Sequence, residues 1–194
     1  NVIIKLEEGI EENKEKQITV KQLPNRNKEY YEGQKDHEHL VKKELPDRAK
    51  YSYEGQIDEE CLIRVELVDG NKEYYEGQRG QERLVRRELS NGNKWFYEKQ
   101  TDQEHLLRIE FPNGEKQFYE GQLEQEHIIR TELPNGIKWF YKGQKGQEYI
   151  IRAELLNGDK YFYEGQKDKE HLVRIEFTNR EKHFFEGQKG QEHL

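Results

Sequence analysis

FPNGEKQFYEGQLEQEHIIRTE, residues Phe111–Glu132, is one period of a repeat that runs through most of the chain. Cutting at Leu23, Leu45, Leu67, Leu89, Phe111, Leu133, Leu155 and Phe177 aligns eight copies of 22 residues without a gap, the last stopping after 18 at Leu194. Numbering each copy from its cut, position 6 is always Lys, position 12 Gln and position 16 Glu. Position 22 is Glu in every complete copy, position 11 is Gly except at Lys99, position 20 is Arg except at Lys42, and position 9 is Tyr except at Phe185. A catalytic residue occurs once per site. These occur once per period, so their first explanation is structural.

Turn chemistry converts the period into a hairpin. Pro112-Asn113-Gly114 suits a type I turn followed by a left-handed residue, a common three-residue hairpin loop. Arg26, Arg48 and Arg180 replace the glycine in three copies and bear a strain of about 1 kcal/mol each if φ stays positive there. Strand-forming runs flank the turn, and a second polar link at positions 12–15 often holds Gly or Asp (Gly80, Asp102, Gly146, Asp168, Gly190). The expected fold is all-β: an elongated tandem array of antiparallel hairpins, meander-like or solenoid-like. A short helix over 168–174, capped by Asp168, is the competing reading. The organisation follows as a worn, capping N-terminal repeat at 1–22 and eight tandem repeats at 23–194. Sixteen or so strands at about 4.8 Å predict a ribbon about 75 Å long. The chain has no methionine, and its last copy is cut in mid-strand, so it is expected to be a stretch of a longer array.

Composition agrees with a thin object. Hydrophobic residues make up 31% and charged residues 38%, with a mean hydropathy of −1.29, too polar to fill one spherical core. Aromatics at 11% recur at fixed places, which argues against disorder. Net charge is −7, and the interleaved charges form no basic stripe for a nucleic acid. There is no apolar run long enough for a transmembrane segment. The lone Cys61 leaves the compartment unknown.

A three-residue loop sets position 22 opposite position 6, so Glu110 should face Lys116, and Arg130 should lie beside Phe140. Positions 7, 9 and 11 then share one face, giving a tyrosine column through Tyr119 with room beside it at Gly121. Position 8 makes a second aromatic column on the other face. Two apolar columns imply that the sheet coils on itself or that something covers one face.

The Tyr-Glu-Gly steps at Tyr31–Gly33, Tyr53–Gly55, Tyr75–Gly77, Tyr119–Gly121 and Tyr163–Gly165, with Asn/Asp-Gly turns before them, resemble the MORN repeat. The similarity spans 23–194. It departs at the second turn, where Gln-Glu-His-Leu replaces most glycines, and in lacking the tryptophan two places after the glycine. The resemblance implies an elongated antiparallel β array acting as a scaffold or membrane-proximal organiser.

Chemistry-bearing clusters are few. Histidines recur at position 17 (His39, His105, His127, His171, His193), but equivalent strands of adjacent repeats lie about 9.5 Å apart, too far to share a metal. No nucleophile motif, phosphate loop or unique carboxylate pair stands out. No catalytic residue, cofactor or metal is therefore expected. Position 7 varies and holds both tryptophans. Trp95, Trp139 and Tyr161, with Tyr97, Tyr141 and Tyr163 on the same face, form the candidate binding surface. The structural set is Glu110, Asn113, Gly114, Lys116, Tyr119 and Gly121. The expected role is a non-enzymatic scaffold or fibre-forming array that self-associates or binds protein. The alternative is a monomeric repeat module using the aromatic face for protein or carbohydrate.

Overall fold

In a computed structural model, the chain is described at residues 2–4, 17–34, 36–100 and 103–193, for 2–4, 99 and 100 in backbone only. Its regular structure there is strand, divided between two compact units, Asn1–Asn91 and Gly92–Leu194. The first unit holds β1 (Val2–Ile4), β2 (Ile18–Gln22), β3 (Lys28–Gln34), β4 (His37–Glu44), β5 (Lys50–Glu54), β6 (Cys61–Glu66), β7 (Lys72–Glu76) and β8 (Arg83–Glu88). Each pairs antiparallel with the next. The second unit repeats the pattern with β9 (Lys94–Gln100), β10 (Gln103–Glu110), β11 (Lys116–Glu120), β12 (His127–Glu132) and β13 (Lys138–Lys142). It continues through β14 (Tyr149–Glu154), β15 (Lys160–Glu164), β16 (His171–Glu176) and β17 (Lys182–Phe184). The segment that competed as a helix is strand β16 with its preceding turn. Within 1–22, β1 pairs with β2, while residues 5–16 of the expected cap lie outside the described residues.

The first turn has the expected form. The Phe111 N–H donates to the Glu115 carbonyl and the Gly114 N–H to that of Phe111, both at 2.9 Å. Asn113 Oδ1 accepts the Glu115 N–H at 2.9 Å, the local bond that favours Asn in turns. Position 4 is left-handed throughout, at φ 88° for Gly114 and also at Arg26 (67°), Arg48 (77°) and Arg180 (73°). The register follows from this loop: Glu110 opposes Lys116 and Arg130 opposes Phe140. Each position-6 lysine of β11, β13 and β15 stands between two position-22 glutamates, as Lys116 does between Glu110 and Glu132.

The second half of each complete hairpin carries a bulge. Phe118 pairs with Arg130 but Tyr119 with Ile128, so Ile129 is extra, and the same shift recurs at every complete copy. A bulge adds a residue to one strand and resets which side chains face each way. It lets the adjacent apolar pair at positions 18 and 19 sit on a strand that alternates elsewhere. Beyond it the chains converge at position 11. There a Cβ on Gly121 (φ 123°) would meet the Gln125 carbonyl oxygen at 2.7 Å, which accounts for the glycine.

Within each unit, strands touch only their neighbours in the meander. Each sheet is thus a single layer among the described residues: of the two expected ways to protect the aromatic columns, it does not coil a second layer over them. The reason lies on the position-8 face, where position-20 guanidiniums cover the rings. Arg130 lies 3.9 Å from the Phe118 centroid, Arg152 3.9 Å from Phe140, and Arg174 4.0 Å from Phe162. Each such stack is worth about 0.5–1 kcal/mol, and Phe184, with no guanidinium over it among the described residues, is 63% exposed. The core is correspondingly thin: among the described residues Ala49, Val65, Ile109, Ala153 and Ile175 are the buried apolar ones.

Candidate functional site

The register assembles positions 7 and 21 into one row across the other face. In the second unit it runs Trp95, Ile109, Gln117, Thr131, Trp139, Ala153, Tyr161, Ile175, His183, each the cross-strand partner of the next. Large and small residues alternate from Thr131 to Tyr161. Ala153 is 2% exposed and Thr131 5%, while Trp139 and Tyr161 are half-buried. The rings on either side therefore shield the Ala153 methyl and turn their own outer surfaces to solvent.

A parallel row holds the position-9 tyrosines: Tyr97 opposite Leu106, Tyr119 opposite Ile128, Tyr141 opposite Ile150 and Tyr163 opposite Leu172. Trp139 and Tyr163 join the rows diagonally, ring centroids 6.3 Å apart at 39°. Burial, then the nearby Tyr161 and Glu192, raises the Tyr163 phenol above its usual pKa. All six candidate residues thus lie on one face of the second unit. Trp139, Tyr161, Tyr141 and Tyr163 form a contiguous patch, and Trp95 with Tyr97 stands further along the same rows. The Trp95 indole N–H is buried with no hydrogen-bond partner among the described residues.

The structural residues fall where the repeat needs them. Lys116 Nζ is 3.7 Å from Glu110 Oε1, and Tyr119 donates its hydroxyl to Gln117 at 2.7 Å. The Tyr-Glu-Gly step is therefore a face residue followed by a close backbone approach.

Sequence reasoning noted the invariant position-16 glutamate without finding its partner. Glu82 Oε1 accepts the Leu62 N–H at 3.2 Å, and Glu60 Oε1 that of Leu40 at 3.2 Å, each reaching into the preceding repeat. Backbone N–H groups of Glu82 itself and of Leu62 hold the Glu82 carboxyl below its ordinary range. Position-13 cations also reach back one repeat, Lys145 to the Glu124 carbonyl at 3.0 Å and Lys167 to that of Gly146 at 2.7 Å. The signal for both was invariance or charge at a fixed place, but the partner lies about twenty residues away.

The histidine column has a similar account. His127 Nε2 stands 3.6 Å from Glu120 and His39 Nε2 3.9 Å from Glu32, across the strand pair. Among the described residues no three His, Cys, Asp or Glu side chains gather as metal ligands. No helix there is long and apolar enough to cross a membrane.

No family model matches the chain, and no curated protein matches its sequence. Among solved structures, it is similar to the TCP domain of SAS-4 (dCPAP) of Drosophila melanogaster, in complex with a proline-rich motif of Ana2 (dSTIL). The likeness is 11% identical, covers 88% of this chain and 90% of that one, and has a TM-score of 0.44. The functional reading therefore rests on this chain's own residues.

Proposed function

We propose that this chain is a non-catalytic assembly protein, a β-repeat scaffold whose aromatic face in residues 92–194 docks protein, a second copy of the chain included. The observation that carries the reading is the row Trp139–Ala153–Tyr161. A single-layer sheet presents large rings there, half-buried and backed by a shielded floor. Rigid aromatics dock at low entropy cost and dominate protein contacts. Polar residues at the other fixed positions recur in every repeat, as scaffold residues do and the parts of a single active site do not.

The chain supplies its own fold-compatible substitutions, because position 7 holds Gln117 and Glu73 elsewhere. In sedimentation of the whole chain, mass should rise with concentration above 23.5 kDa. The variant Trp139→Gln/Tyr161→Glu should remain a monomer with its melting transition retained. Equal mass distributions for the two would refute the face as the contact. A wild type monomeric at every concentration would remove self-assembly and leave the binding-module reading. Flat tryptophan rings also suit sugar stacking, and quenching of Trp139 fluorescence by oligosaccharides would mark that alternative.

A further inference from the structure

The first two repeats and the strand before them depart from the consensus at four places that the hairpin register brings together. Position 4, Gly in five repeats, is Arg26 and then Arg48, both left-handed at φ 67° and 77°. A side chain there is disfavoured, yet the chain carries one twice in succession. Position 20 is Lys42 instead of Arg. The residue opposite Lys28 on β2 is Gln22, where the pattern has Glu.

Two neighbours occupy the carboxylate at the centre of this cluster. Glu44 Oε1 lies 2.6 Å from Lys42 Nζ, and Oε2 accepts the Tyr30 hydroxyl at 2.8 Å. The Lys42 bond, more than any other influence, holds the Glu44 carboxyl below its ordinary pKa. With both oxygens taken, Glu44 pairs with neither flanking lysine. In the second unit the equivalent lysines do pair, Lys182 with Glu176 at 2.9 Å and Lys160 with Glu154 at 4.0 Å. Among the described residues Arg26, Lys28, Arg48 and Lys50 make no ion pair. The nearby Asp47 carboxylate is turned to its own loop, accepting the Ala49 N–H at 3.0 Å.

These four cations, with Glu44, Leu45 and Pro46, line a cleft of about 490 Å³. Lys28 and Lys50 flank Glu44 on adjacent strands, about 9.6 Å apart at two strand spacings, and the two arginines stand on the turns beside them. Four positive charges against one carboxylate (4 − 1) leave +3 in a chain of net charge −7. Guanidinium forks favour phosphate oxygens, and lysines add point charges. We propose that this cleft binds a ligand carrying two or more linked phosphate groups. Spread over four corners, the cations suit a chain of phosphates better than one tetrahedral ion. This site lies in the first unit and is independent of the aromatic face.

Calorimetric titration of the whole chain with inorganic tripolyphosphate, pyrophosphate and orthophosphate tests it. Tripolyphosphate should bind one to one and at least about tenfold tighter than orthophosphate. The variant Arg26→Gly/Arg48→Gly should lose at least about tenfold of that affinity while melting at a higher temperature, since it restores the residue the turn prefers. Arg180→Gly, the same relief in another repeat, should raise the melting temperature and leave binding unchanged. Absence of saturable binding, or full affinity in Arg26→Gly/Arg48→Gly, would overturn the proposal.

Discussion

The two units share a frame but not a face. In the first, the row of positions 7 and 21 runs Glu29, Lys43, Tyr51, Val65, Glu73, Arg87. It is held by charge: Lys43 lies 3.5 Å from Glu29 and Arg87 2.5 Å from Glu73. Its tyrosines donate to the same carboxylates, Tyr31 to Glu29 at 2.8 Å and Tyr75 to Glu73 at 2.7 Å. In the second unit the same row is aromatic and aliphatic from Trp139 to Ile175. The hairpin register is identical in both, so the row does not determine the fold. What both units keep are the cross-strand register of position 6 against position 22, the position-16 brace, the bulge and the position-11 approach. Function is free to vary where the frame makes no demand.

The largest expected effect breaks the shared frame and so should not distinguish the units. Cβ atoms on Gly77 and Gly121 would lie 2.6 and 2.7 Å from the carbonyl oxygens of Gln81 and Gln125, at φ 133° and 123°. Gly77→Ala and Gly121→Ala should each destabilise by about 2–4 kcal/mol, combining backbone strain with a backbone clash. Urea unfolding of the two variants measures this, and a large effect in one unit alone would show that the frame is not common.

The middle effect should separate the units. Ala153 is 2% exposed between Trp139 and Tyr161, whereas Val65 at the same position has Tyr51 on one side and Glu73 on the other. Ala153→Leu overpacks a closed site and should cost about 1–3 kcal/mol. Val65→Leu meets a ring on one side only and should cost less than about 1.5 kcal/mol. Equal losses in urea unfolding would mean that the aromatic row is no more tightly fitted than the charged one.

Much of the frame was legible because it is local. Pro112-Asn113-Gly114 fixed the loop, the loop fixed the register, and the register placed Glu110 opposite Lys116 and Arg130 beside Phe140. Trp139 and Tyr161 could be put on one face by alternation alone. The bulge was legible only indirectly, since Ile128-Ile129 breaks the alternation without saying on which strand the extra residue falls. Of the two expected ways to protect the aromatic columns, a cover rather than a second layer is found on the position-8 face, because a guanidinium can cover a ring, and alternation cannot show that Arg130 lies over Phe118. Glu82 and the oxyanion cleft were hidden for another reason. Their partners lie on neighbouring hairpins, and only the folded register shows that Lys42 and Tyr30 take the carboxylate that Lys28 and Lys50 would otherwise share.

The smallest effect is a titration that reads the charged row directly. Burial, then the hydrogen bond to Glu29, pushes the Tyr31 phenol up from 10.0 to about 12, and the same two causes raise Tyr75 beside Glu73. A phenol whose folded pKa lies above its unfolded value favours the fold while protonated. Its contribution is complete below about pH 10 and is lost as pH rises toward 12. In the second unit Tyr119 donates to the neutral Gln117 instead. Glu29→Gln/Glu73→Gln would give the first unit that neutral acceptor while keeping burial, the larger cause, in place. The last part of the phenolate absorbance curve should then move to lower pH by less than about one unit. The stability lost in strong alkali should start correspondingly earlier. An unchanged curve would mean that the carboxylates do not govern these tyrosines, and that the charged row is a set of neighbours with no electrostatic hold on the face.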